Sequence, residues 1–213
     1  MIIPLNRKML TKERTIAEPF AKEPWRKLTF KEVKRLSSNK SYNYVHTTLK
    51  RLVKEEILKE QRIGNNIAYQ INDSIQALNT MGFIAEHKAA TTRHLPHESI
   101  RKLVSKIKTT FLTLLITGSY AKGKQKEASD IDIVIICDDK QNPGSILSQI
   151  KLESELMSPE AHPYVFTQSQ FYEMLTDKEE NYGKESARNN LIIMGGSAYY
   201  SILLEATKHG FNG

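Results

Sequence analysis

The 213-residue sequence predicts an α+β fold in two parts: a small basic helical unit closed by a β-hairpin, then a small mixed sheet flanked by helices. Three observations carry that reading. Apolar positions recur at helical spacing through residue 54 and then alternate at Ile67, Tyr69 and Ile71, the change from period 3.6 to period 2. Two strand-forming runs, Phe111–Thr117 and Ser129–Ile136, follow further on, with helical patterns on both sides. The charge is divided unevenly. Residues 1–72 hold 16 Lys and Arg against 7 Asp and Glu, a balance of +9, while the chain as a whole carries +7.

In chain order, Glu13 to Lys22 reads as a short helix ended by Pro24. Thr29-Phe30-Lys31-Glu32 is a capping box that opens a second helix through Val33 and Leu36. Ser37–Lys40 is a turn. A longer helix follows, with Tyr42, Val45, Leu49, Leu52 and Val53 on its apolar face. Gly64-Asn65-Asn66 tolerates positive φ and suits a hairpin tip. Trp25, the single tryptophan, is expected in the helical core. His46 has no second ligand at i+3 or i+4 and reads as a surface or groove residue.

Three helices and a hairpin over roughly residues 11–72 resemble a winged helix-turn-helix. The resemblance implies a recognition helix near residues 40–54, with Lys40, Ser41, Asn43, Tyr44, His46, Thr47, Lys50 and Arg51 as its outward candidates and Arg62 at the wing. Lys, Arg and Asn suit phosphates and base edges, and a basic unit suits DNA. The plainer alternative for this unit is docking or dimerisation.

Asp73 to Ala90 reads as a connector helix with Ile75, Leu78, Met81, Phe83, Ile84 and Ala85 apolar, bent near Gly82. A polar, proline-bearing stretch over residues 88–97 marks a soft boundary, so domains of 1–90 and 98–213 are expected. Pro96 argues against His94 and His97 as a helical ligand pair. A helix from Glu98 to Lys108 presents Ile100, Leu103, Val104 and Ile107 to the following sheet.

An apolar run ends at Gly118-Ser119, and after ten intervening residues Asp130-Ile131-Asp132 heads the second apolar run. On a strand, two acids two residues apart project to one face. Ionised carboxylates at the edge of a core call for compensation, and a divalent cation supplies it. Magnesium takes a few carboxylates together with substrate phosphate oxygens. The Gly-Ser turn lets backbone and hydroxyl approach a phosphate, and Lys122, Lys124 and Lys126 add positive charge. These parts suit phosphoryl chemistry on a nucleoside triphosphate.

Gly118-Ser119-Tyr120-Ala121-Lys122-Gly123 with Ser129-Asp130-Ile131-Asp132-Ile133 resembles the DNA polymerase beta-type nucleotidyltransferase superfamily, in particular its minimal prokaryotic members, over residues 98–206. The resemblance implies Mg2+ or Mn2+ on Asp130 and Asp132, which would be the catalytic pair. It also implies a triphosphate held by Gly118 and Ser119, with Lys122 beside them. It implies a third carboxylate on the next strand. That strand, Ala161–Thr167, carries none: the aligned position falls at or near Tyr164, and Glu160 and His162 are the nearest substitutes. Small members of the family act with partners in toxin–antitoxin pairs, so a protein acceptor or toxin-like partner is also implied.

Residues 182–196 read as a helix running into a glycine stop, with Lys184 and Arg188 on one solvated face. The apolar stretch Ser197–Ala206 packs on the sheet or forms a homodimer contact. One cysteine, Cys137, excludes a disulfide framework and a cysteine-based zinc site. No apolar run reaches 18 residues, and Met1–Lys8 lacks a signal-peptide core, so a cytoplasmic protein without a membrane partner is expected. Three readings stay open: an enzyme transferring a nucleoside monophosphate to an acceptor, a DNA-binding regulator that binds nucleotide without turnover, and a docking protein with neither activity.

Overall fold

A computed structural model describes residues 13–109 and 111–213. Met1–Lys8, read above for a signal peptide, and the first residues of the expected N-terminal domain lie outside the described residues. The chain begins with α1 (Arg14–Lys22), β1 (Leu28–Thr29), α2 (Phe30–Leu36), α3 (Tyr42–Lys54) and a hairpin of β2 (Leu58–Ile63) and β3 (Asn66–Ile71). β1 joins β3 as a short third strand, Leu28 opposite Tyr69. The Thr29 capping box forms as the spacing predicts, with Glu32 accepting from Thr29 N at 2.8 Å. Gly64 turns the hairpin at φ +58°.

Leu36 and Ile67, apolar positions in the sequence pattern of this unit, are exposed. Tyr42 is likewise exposed, and Thr48 takes the fourth buried place on α3 beside Val45, Leu49 and Leu52. Trp25 packs against the core of the N-terminal helices, half-buried, with its ring edge-on to Phe211 near the chain end, 5.2 Å between ring centres.

α4 (Ile75–Ala90) runs unbroken through Gly82. The glycine serves close packing rather than a bend. A Cβ at Gly82 would stand 2.7 Å from Ser197 N, and one at Gly196 would stand 2.6 Å from Gly82 Cα. Ile75, counted among the apolar positions, is exposed.

The second half holds α5 (His97–Ser105), β4 (Leu112–Ile116), the single turn α6 (Gly118–Ala121), β5 (Ile131–Cys137), α7 (Pro143–Leu156), β6 (Ala161–Thr167), α8 (Gln168–Thr176), α9 (Tyr182–Arg188), β7 (Leu191–Met194) and α10 (Gly196–Lys208). Its sheet is mixed, ordered β6-β5-β4-β7: β5 and β6 are parallel, and the β4–β5 and β4–β7 pairs are antiparallel. The helix expected over residues 182–196 is therefore a helix and a strand. Leu191-Ile-Ile-Met194 pairs with β4, and Gly195 turns the chain at φ +77° against the β4 backbone. A four-residue apolar run has no period by which to tell strand from helix.

Alternation divides the core in two. Ile131, Ile133 and Ile135 face α5 and α7, while Leu115, Val134, Ile136 and Ile192 face α4, α8 and α10. The second core is continuous with that of the N-terminal helices, through Met81 and Ile84 of α4 and Tyr199, Tyr200 and Leu203 of α10. Tyr200 donates its hydroxyl to Ala21 O at 2.7 Å. The C-terminal apolar stretch thus packs on the sheet, and these side chains are fully buried within the chain. Among the described residues no helix is long and apolar enough to cross a membrane.

Candidate active site

β4 delivers the chain to the Gly-Ser turn. Thr117 N donates to Asp132 O at 2.9 Å, extending the β4–β5 ladder by one bond, and Gly118 then leaves it at φ +62°. A Cβ added at Gly118 would collide with the Asp132 carboxylate. The turn therefore sits directly over that acid, and only a residue without a side chain brings the backbone so close. Tyr120 anchors the turn in the core, and its carbonyl accepts from His94 Nε2 at 2.9 Å. His94 and His97 make separate backbone bonds and no joint site.

Asp130 and Asp132 share a sheet face, as their spacing predicts, with Ile131 and Ile133 buried on the other. Asp130 is half exposed. Asp132 is deeper, and burial pushes its carboxyl above the ordinary range; Asp130 and Glu185 add to this and His162 opposes it. On the neighbouring strand His162 stands in register with Asp132, its Nε2 3.9 Å from Asp130 Oδ2. Tyr164 lies two residues further along the same face, its ring 4.8 Å from that of Tyr182. The Tyr182 and Thr117 hydroxyls share a hydrogen bond of 3.1 Å, and burial raises the Tyr182 pKa.

Glu185, Tyr182 and Thr117 were not foreseen from the sequence. Glu185 arrives from α9 and holds Lys122 Nζ at 3.2 Å. No local motif marks it, because α9 is brought to the site by the intervening β6 and α8. Of the two cations singled out on that helix, Lys184 is not solvated: it is buried, with Nζ donating to Asp177 O at 2.5 Å. Arg188 is clamped by both oxygens of Glu180 at 2.6 and 2.7 Å. Ser119 lies beside Gly118, half-buried, and Lys124 and Lys126 are exposed on the loop. Glu160 is exposed, and its carbonyl accepts from Ile131 N at 2.9 Å.

Two carboxylates on one face are oxygen donors of the kind a magnesium-like cation takes. Among the described residues no group of three or more His, Cys, Asp or Glu side chains is placed to hold a metal ion, so the protein's own contribution would be the Asp130 and Asp132 pair. Mg2+ is commonly held by one or two carboxylates with the remaining positions filled by water and substrate phosphate.

On the helical unit, Lys40, Asn43, Thr47, Lys50 and Arg62 are exposed, and Tyr44 is half-buried. Ser41 caps α3 by accepting from Tyr44 N at 3.3 Å. His46 stacks on the Tyr42 ring at 6.0 Å. Arg51 turns inward, paired with the nearly buried Glu13 and with Glu55 at 3.4 Å, and is not presented outward with the others.

Residues 98–191 match the family model described as a nucleotidyltransferase domain, which supports a nucleotidyltransferase-superfamily domain over this part of the chain. No curated protein and no solved structure matches the chain significantly.

Proposed function

We propose that the chain is a nucleotidyltransferase that moves a nucleoside monophosphate from a nucleoside triphosphate to an acceptor, with release of pyrophosphate, and that residues 13–72 form a DNA-binding winged helix. The observation that carries the first part is the Gly118 turn closed over Asp132, inside the segment that matches the family. Asp130 and Asp132 would hold Mg2+ or Mn2+, which when bound neutralises charge developing on the phosphoryl oxygens. Gly118 admits the backbone to the triphosphate, and Ser119 Oγ donates to it. Lys122 moves from Glu185 to a phosphate oxygen, a short step for a flexible side chain carrying a point charge. Glu185 and His162 are the groups nearest to the work of the missing strand carboxylate, accepting a proton from the acceptor hydroxyl.

Lys40, Asn43, Tyr44, Thr47, Lys50 and Arg62 form the proposed DNA face. The candidate acceptors are nucleic acid, the chain itself and protein partners of the toxin kind. A second reading, a regulator that binds nucleotide without turnover, draws support from one observation: His162, not an acid, stands opposite Asp132.

The test is transfer of label from α-³²P nucleoside triphosphates, with Mg2+ or Mn2+, to self, RNA and lysate acceptors. Transfer that is lost in the double variant Asp130→Ala, Asp132→Ala is the expected result. Metal-dependent nucleotide binding without transfer would favour the regulator. Absence of both would sink both readings.

A further inference from the structure

A cavity of about 600 Å³ lies where α1 and α4 meet α9, β7 and α10. Its walls include Ala121, Lys122 and Lys124, just beyond the Gly-Ser turn, but not Gly118, Ser119, Asp130 or Asp132. Five cations line it, Lys22, Lys88, Lys122, Lys124 and Arg188, against one acid, Glu18. Three are matched: Lys88 with Glu18 at 3.2 Å, Lys122 with Glu185 at 3.2 Å and Arg188 with Glu180 at 2.6 Å. Among the described residues, Lys22 and Lys124 have no acidic partner. The local balance, partners included, is two positive charges.

Two unmatched ammonium groups facing one cleft repel each other, and an anion between them removes that cost. Lysine serves phosphate as a point charge. The rest of the lining suits an organic body: Ile84 and Leu191 are apolar, and Asn189 brings a side-chain amide. The volume falls in the usual range of small-molecule pockets, about 300–1,000 Å³.

We propose that this cavity is a second binding site, for a nucleotide-sized phosphorylated ligand, that works without metal and apart from the acid pair. The ligand touches α1 and α4 on one side and the loop after Gly118-Ser119 on the other. Its occupancy therefore draws on Lys122, which also pairs with Glu185, and so reaches the candidate active site from the helical unit.

The experiment is calorimetric titration of the full chain with ATP, and separately with inorganic tripolyphosphate, in EDTA and then in Mg2+. In EDTA one equivalent of ATP is expected to bind. Lys22→Ala with Lys124→Ala should weaken it at least tenfold, Lys22→Arg with Lys124→Arg should keep it, and Asp130→Asn with Asp132→Asn should leave it unchanged. Circular dichroism of each variant checks the fold. No binding of either probe in EDTA, or binding indifferent to the loss of both lysines, overturns the proposal. A further equivalent that needs Mg2+ and vanishes in the aspartate variant reports the transfer site, so the failure of one site is distinct from failure of the other.

Discussion

Gly118 shows how much rests on one missing side chain. Its φ of +62° is left-handed, and the Asp132 carboxylate occupies the place of its Cβ. Gly118→Ala is expected to cost about 1–3 kcal/mol from the backbone alone. It should also abolish Mg2+-dependent nucleotide binding, because the acid must move. Thermal melts and ATP titration check both. Arg51 makes the complementary point. The sequence groups it with the outward basic residues, but its guanidinium is committed to Glu13, whose side chain is 6% exposed. Arg51→Ala is expected to lose on the order of 2 kcal/mol by stranding that acid. Lys50→Ala and Arg62→Ala should leave stability unchanged and each lower the salt dependence of DNA binding by about one unit of slope. Urea unfolding and DNA titrations at several salt concentrations separate the two behaviours.

At the scale of elements, local chemistry sets where helices begin. Thr29 and Glu32 satisfy each other's backbone donors at the head of α2. The bonds from Thr29, backbone first and hydroxyl second, hold the Glu32 carboxyl below its ordinary range. A depressed folded pKa contributes stability above the unfolded value, about pH 4.3 for Glu, and that contribution is lost as pH falls through the folded value. Glu32→Gln is therefore expected to cost about 0.5–1 kcal/mol at pH 7, with the difference from the parent shrinking by pH 3. Denaturant melts at the two pH values check it. α10 is placed differently. It follows β7 through the left-handed Gly195 and lies against α4 where two glycines meet.

For the whole molecule, that glycine contact joins the halves. α4 carries the chain out of the hairpin and packs on α1, β7 and α10, so one core runs from Phe20 to Tyr200. Gly82→Ala would put a methyl against the Ser197 backbone, which cannot rotate away. The expected loss is about 1–3 kcal/mol, the usual cost of overpacking. It should appear in a single unfolding transition read both by Trp25 fluorescence and by far-UV circular dichroism. Two separate transitions would show that the halves unfold independently.

By itself the sequence determined the elements whose signals are local. These are the capping box at Thr29, the hairpin at Gly64, the alternation that puts Asp130 and Asp132 on one face, and the Gly-Ser turn before them. Each depends on residues within a few positions of one another, where backbone sterics and side-chain period decide the outcome. The tertiary structure alone decided what depends on distant pairing. It made Leu191–Met194 a strand, because β4 offered an open edge. It turned Arg51 and Lys184 inward, because Glu13 and the Asp177 carbonyl met them there. It brought Glu185 and His162 to the acid pair and lysines from both halves to one cleft. Charge and hydrogen-bond partners are chosen by proximity in space, and spacing along the chain carries no record of it.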